Sequence, residues 1–190
     1  MEVDTDLAQI VDVRPNRASM TDITEELAGI IGSWSGRGRG IYPTIESFEY
    51  LERVTFTRSP KGFVVYQQAT HHPDSGAPMH SETGYLRVPA AGGEMVEGEA
   101  VVEGAVVEMV VAQPTGIVEV HVGRASLRDG SLTLSFTAET VATTASAKKV
   151  VAVTRTITVT GDELRYELHM AAAAQPLQLH LTAALHRESS

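Results

Sequence analysis

Ten short segments rich in β-forming residues, each closed by a turn signal, leave this chain few ways to fold. They run over about 33–41, 47–58, 62–71, 80–88, 106–112, 116–124, 131–140, 149–160, 163–172 and 176–186. Ser59-Pro60-Lys61-Gly62, Pro73-Asp74-Ser75-Gly76, Pro114-Thr115-Gly116, Arg128-Asp129-Gly130 and Thr160-Gly161-Asp162 mark turns between them. One short helix is expected before the strands. Thr21 or Asp22 can cap it, Ile23, Leu27, Ile30 and Ile31 form its apolar stripe, and Gly32 ends it. No helical pattern falls between the strands, which excludes a doubly wound α/β fold. Antiparallel strands at this spacing make a sandwich or a closed barrel. Residues 1–20 read as a flexible polar leader and 21–190 as a single domain, long enough for a sizeable core. The stretch 90–105, rich in glycine and glutamate, reads as a long loop or extended hairpin. There is no internal period of 20–50 residues, so the chain is neither a solenoid nor a propeller.

Composition removes several kinds of function. There is no cysteine, so disulfides and thiolate chemistry are out of reach. The formal net charge of -9 argues against general nucleic-acid binding. No apolar run is long enough for a membrane-spanning helix, and the first twenty residues lack the pattern of a secretory signal. A soluble cytoplasmic protein is the default expectation. No phosphate-binding loop, Gly-x-Ser-x-Gly elbow or His-Glu-x-x-His helix is present.

The first strand is unusual. In 32-GSWSGRGRGIYPTI-45, Gly32, Trp34, Gly36, Gly38 and Gly40 recur at every second position, so in a regular strand they share a face. Glycine weakens a strand interior, so a bare backbone face implies a strong bend, or close approach of another strand or a flat ligand. Trp34, the only tryptophan, would then plug one end of what the strand encloses.

This Gly-x-Trp-x-Gly-x-Gly-x-Gly pattern, followed by Tyr42-Pro43-Thr44-Ile45, resembles the signature of the nitrobindins. The likeness continues through Phe48-Glu49-Tyr50 and Glu52, then Pro78 to Arg87 (PMHSETGYLR), and ends with Gln175-Pro176-Leu177 and His180-Leu181. Three ordered motifs cover the chain from about Gly32 to Arg187. The resemblance implies an all-β, ten-stranded antiparallel up-and-down barrel, similar to fatty-acid-binding proteins, that binds heme b. It implies His180 as the axial ligand of the iron, with Thr55, Met79, His80 and Met170 about the heme. Family members bind nitric oxide, isomerise peroxynitrite to nitrate and are commonly dimers. The expected function is therefore a heme-dependent peroxynitrite isomerase working as a homodimer.

The last strand sets period against motif. Leu177, Leu179, Leu181 and Leu185 share one face, while Gln178, His180, Thr182, Ala184 and His186 share the other. Simple alternation puts the leucines inside and His180 outside, whereas the resemblance needs His180 to face the heme. Both hold if the leucine face is covered by the N-terminal helix or a second subunit, or if a bulge near Gln178 changes the register.

Other residues carry plainer readings. His71 and His72 are a solvated loop edge, and His121, His169 and His186 are surface residues. Glu82 has no evident acid partner. His80 is either a partner across the heme or a core histidine bonded to a carbonyl. The competing function is a heme-free carrier of a fatty acid or other apolar molecule. It would need a buried arginine for the carboxylate, and Arg87, Arg155 and Arg165 are the candidates.

Overall fold

All ten strands form, and each pairs antiparallel with its neighbours in the chain. A computed structural model describes residues 27–89 and 104–189. The strands are β1 Gly32–Tyr42, β2 Ile45–Arg58, β3 Val64–His71, β4 Pro78–Arg87, β5 Ala105–Gln113, β6 Ile117–Arg128, β7 Ser131–Thr143, β8 Val150–Thr160, β9 Glu163–Ala172 and β10 Gln178–Arg187. β1 also pairs with β10, from Trp34 opposite Arg187 to Gly40 opposite Leu181, and this closes the sheet into a barrel. Closure leaves no free edge, and it decides between the barrel and the sandwich.

The described part of the expected helix is only a 3-10 turn, Ala28–Ile30. Side chains from the barrel satisfy the carbonyls at its end. Arg187 donates to Gly29 O (2.9 Å) and Ile31 O (2.7 Å), and Trp34 Nε1 donates to Ile30 O (2.9 Å). Thr21, Asp22 and Ile23 lie outside the described residues, as do the leader 1–20 and most of the 90–105 segment.

Period-2 alternation divides the interior into layers. The turn closes one end of the barrel. Leu27, Ile30 and Trp34 pack there with Phe56, Leu86, Val107, Met109, Leu132 and Leu185, and the Arg187 guanidinium lies over the indole. Trp34 is fully buried and plugs this end, as its place in the sequence suggested. A smaller apolar cluster of Tyr42, Ile117, Val150, Val153, Leu168 and Ala172 lies apart from it. The barrel also buries Glu52, Gln68, Glu82, Glu119, His121 and Arg155.

The glycines of β1 make room for specific neighbours. A β-carbon at Gly36 would meet the Ala184 carbonyl of β10, whereas at Gly38 and Gly40 it would land on the rings of Tyr50 and Phe48. These two aromatics stand directly opposite the two glycines on β2. The bare backbone face is thus covered by rings that also line the cavity described below.

This geometry makes Gly38→Ala an overpacking substitution, expected to destabilise the barrel by about 1–3 kcal/mol. Urea unfolding followed by circular dichroism measures it; an unchanged midpoint would mean that the Tyr50 ring moves aside freely.

Candidate functional site

The strand β10 is irregular where the site is built. Pairing with β9 runs Leu179 opposite His169 and then Leu181 opposite Leu168, so the register slips by one residue at His180. A second irregularity in β1, between Gly40 and Tyr42, lies across from it. A bulge places one extra residue on one strand and re-aims its side chain. His180 and Leu181 consequently both line the interior cavity, while Ala183 and Leu185 continue as inward core residues. The conflict between period and motif is resolved by the bulge, centred two residues beyond Gln178. Of the four leucines, Leu185 is fully buried in the barrel, Leu179 and Leu181 are half-buried, and the exposed one, Leu177, precedes the strand.

The cavity is lined by Phe48, Tyr50, Gln68, Thr70, Met79, His80, Glu82, Gln113, Glu119, Val153, Leu168, Met170, His180 and Leu181, with a volume of about 250 Å3. Its walls divide by chemistry. Phe48, Val153, Leu168, Met170 and Leu181 are apolar, while Gln68, Glu82, Gln113 and Glu119 make a polar floor. Met79, 41 % exposed, is at the rim.

His180 is held in one tautomer. Its Nδ1 lies 3.0 Å from the Ile41 carbonyl, which can only accept, so Nδ1 carries the proton. Burial lowers its affinity for a second proton, against the opposing effect of that carbonyl, and nearby His80 adds to the lowering. The imidazole is therefore neutral, and Nε2 keeps its lone pair. Tyr42 packs edge-on against the ring at 5.2 Å, and its hydroxyl is fixed by the Ala172 backbone: it accepts from the amide (2.8 Å) and contacts the carbonyl at 3.0 Å. A neutral imidazole with its second nitrogen bonded to a carbonyl is the usual state of a metal-ligating histidine. Among the described residues no group of three or more His, Asp or Glu could hold a metal ion. A metal held by His180 would have to bring its other ligands with it.

The polar floor is an ion cluster. Arg155 donates to both oxygens of Glu82 (Nη1–Oε2 2.6 Å, Nη2–Oε1 2.9 Å) and to Glu119 (Nη2–Oε2 2.8 Å). Gln113 bridges the same two carboxylates from outside, at 3.2 and 2.9 Å. Tyr66 donates to Glu82 (3.0 Å), and His121, fully buried, lies 2.8 Å from Glu119. Burial pushes both carboxyls up, but Arg155, together with His80 at Glu82 and His121 at Glu119, outweighs it and holds both below the ordinary carboxylate range. Glu52 differs. It accepts from Gln68 Nε2 (2.8 Å) and the Tyr166 hydroxyl (2.9 Å), but Arg155 is bonded elsewhere. Burial raises its pKa to about 7 despite those two bonds.

Of the residues expected around the heme, His180, Met79, His80 and Met170 are brought together on this cavity. Thr55 is not. Alternation on β2 turns Glu52, Val54 and Phe56 inward, and Thr55 lines a different pocket with Arg53, Gln67, Ala69 and Thr83. Thr70 is the threonine on the cavity, with its hydroxyl accepting from the His80 amide at 2.9 Å. Two further residues stand out, and for His121 the surface reading is corrected. Glu82, read without an acid partner, is bonded instead to a cation, Arg155, contributed by β8. His121 is a core residue, because it follows Ile117 and Glu119 on the inward face of β6. The signal was available: Glu52, Glu119 and Arg155 each occupy an inward position in an otherwise apolar alternation.

The pH dependence of folding follows from Glu52. A carboxyl raised from 4.5 to about 7 in the fold contributes stability that is full below pH 4.5 and lost as the pH rises through 7. Glu82 and Glu119 act oppositely, since their contribution is lost as the pH falls. Between pH 5 and 8 the stability of Glu52→Gln relative to the parent should therefore rise, by up to about 3 kcal/mol. Urea unfolding at the two pH values measures this, and a constant difference would assign the burial penalty elsewhere.

The family model for the THAP4-like, heme-binding beta-barrel domain matches residues 24–187. The chain is 42 % identical over 171 residues to peroxynitrite isomerase 1 of Mycolicibacterium paratuberculosis, covering 88 % of this chain and 98 % of that protein. It is 44 % identical over 165 residues to peroxynitrite isomerase 2 of Mycobacterium marinum, covering 87 % and 94 %. The crystal structure of Rv2717c from M. tuberculosis superposes with a TM-score of 0.78 at 41 % identity, covering 88 % of this chain and 98 % of that one.

Proposed function

The chain belongs to the family of THAP4-like, heme-binding β-barrel domains, and on that premise we propose that it binds heme b through His180 and isomerises peroxynitrite to nitrate. The observation that carries the proposal is the neutral imidazole of His180, pinned by the Ile41 carbonyl, on an apolar-walled cavity. Its related proteins are named peroxynitrite isomerases. Bound heme supplies the chemistry, an iron able to take up a small oxygen- or nitrogen-centred ligand, peroxynitrite or nitric oxide. The residues fit such a group. Nε2 of His180 offers one lone pair, and Phe48, Val153, Leu168, Met170 and Leu181 offer apolar contact for a ring. At about 250 Å3 the cavity is small for a cofactor, so it would not enclose a ring as large as heme completely.

Each residue then has a definable part. The Ile41 carbonyl fixes the ring orientation of His180 and raises the basicity of Nε2. The apolar wall excludes water from the bound ligand. Isomerisation of peroxynitrite to nitrate has no net proton change, so no general acid is required, and Glu82, kept ionised by Arg155, is not suited to be one. His80, with Nε2 3.4 Å from Glu82, stands on the same cavity as His180 and is placed to contact a ligand across it. The rival reading of a fatty-acid carrier finds little support. Arg155 is the buried arginine, and both of its terminal nitrogens are bonded to Glu82 and Glu119. Arg87 and Arg165 are exposed and paired with Glu108 and Glu163.

His180→Ala is expected to abolish stoichiometric heme uptake while the circular dichroism spectrum stays that of the parent, because the cavity walls remain. Reconstitution with hemin and measurement of the Soret band decide it. A Soret spectrum unchanged in the variant would overturn the assignment.

The homodimer remains part of the proposal, with its contact moved. The last strand presents no outer leucine stripe. The apolar outer surface is instead on β4 to β6, where Tyr85, Val110 and Val120 are cross-strand partners, as are Ala112 and Val118 beside them. Tyr85 is 55 % exposed, and Val110, Val118 and Val120 about 40 %. Contiguous exposed apolar surface of this kind favours a partner. Light scattering at micromolar concentration should give a dimer that Val110→Glu splits and Leu177→Glu does not. A monomeric parent would reject it.

A further inference from the structure

A directed chain of hydrogen bonds joins Glu52 to the cavity wall. Tyr166 OH is 2.9 Å from Glu52 Oε2 and 2.8 Å from Tyr50 OH, and Tyr50 OH is also 3.3 Å from the Thr182 carbonyl. Tyr50 lines the cavity, whereas Glu52 does not. Each phenol has one proton, so the chain must point one way or the other. With Glu52 ionised, Tyr166 donates to the carboxylate and Tyr50 donates to Tyr166, which leaves only lone pairs of Tyr50 for anything beyond. With Glu52 protonated, its O–H can donate to Tyr166 and Tyr166 to Tyr50, and the Tyr50 proton turns to the Thr182 carbonyl or to an acceptor in the cavity. The hydroxyls rotate, and the only proton gained or lost is that of Glu52.

We propose that Glu52 is a positioning residue which, through Tyr166, sets whether Tyr50 offers a hydrogen-bond donor or an acceptor to a cavity ligand. The donor state favours ligands that present an acceptor atom at that wall, a small oxyanion among them.

The surroundings allow both states. Glu52 faces Tyr50 on its own strand, Gln68 and Tyr66 on β3, Glu82 on β4, Arg155 on β8 and Tyr166 on β9. Gln68 donates to the other oxygen, Oε1, and leaves Oε2 to Tyr166. Arg155, the one cation among them, is bonded to Glu82 and Glu119. Burial keeps both tyrosines un-ionised well beyond neutral pH, so they relay direction and do not carry charge. The proposal concerns the chain alone and stands or falls independently of heme.

Protein labelled with 13C at the hydroxyl-bearing carbon of tyrosine tests it by NMR from about pH 5 to about pH 9, the span in which a raised carboxyl titrates. Tyr50→Phe and Tyr166→Phe assign the resonances. In the parent both signals should shift with one shared midpoint near neutral pH. In Glu52→Gln the midpoint should vanish and both signals should stay at the parent's low-pH position, because the amide turned to Tyr166 can only donate. In Tyr166→Phe the Glu52 side-chain carboxyl carbon should still titrate while Tyr50 no longer follows. The proposal is overturned if Tyr50 follows Glu52 without Tyr166, if Glu52→Gln leaves the midpoint in place or fixes the signals at the high-pH position, or if the parent shows no shared midpoint. Glu52→Gln is nearly isosteric and decides the question even if Tyr166→Phe fails to fold.

Discussion

The Arg155 guanidinium, locked between Glu82 and Glu119, is the interaction on which the interior of this barrel depends. Three carboxyl groups enter from β2, β4 and β6, and one cation enters from β8. The terminal nitrogens of this guanidinium are bonded to Glu82 and Glu119, and its Nε–H is unpaired and does not reach Glu52. That placement produces two chemically different kinds of acid in the same interior. Glu82 and Glu119 are held ionised, while Glu52 is left near its midpoint at neutral pH. Hydrophobic residues of similar size would serve stability as well as such a cluster. What the cluster adds is a polar floor beneath an otherwise apolar cavity, with fixed donors and acceptors.

The second constraint is the backbone irregularity at His180. A regular β10 would present either His180 or Leu181 to the interior, never both. The slipped register presents both, and the matching irregularity in β1 brings the Ile41 carbonyl to Nδ1. Position, tautomer and orientation of the histidine are thus set by main-chain groups, which no side-chain substitution can remove. The glycines of β1 serve the same site less directly: they clear the space into which Phe48 and Tyr50 fold, and those rings form part of the cavity wall.

Polar residues in strands proved more informative than histidine counts. His121 looked like a surface residue when taken alone, yet Ile117, Glu119 and His121 share one inward face. Thr55 looked like a site residue by its place after a motif, yet its neighbours Val54 and Phe56 occupy the interior, and Thr55 does not line this cavity. In both cases strand parity, applied across the whole strand, outweighs the reading of a single residue.

Ten strands, their turns, the exclusion of α/β architecture and the plugging role of Trp34 were legible in the sequence, because alternation and turn chemistry are local properties of short segments. The ordered motifs placed His180, Met79 and His80, which share one cavity with Met170, because each of the three lies within a recognisable stretch. Which strands close the sheet, where β10 slips, that the expected helix contributes only a turn among the described residues, and that Glu82 meets Arg155 from 73 positions away were decided by tertiary structure. Those outcomes depend on which groups from distant strands arrive at the same point inside a closed barrel, and on how a fixed supply of charges is then shared among them.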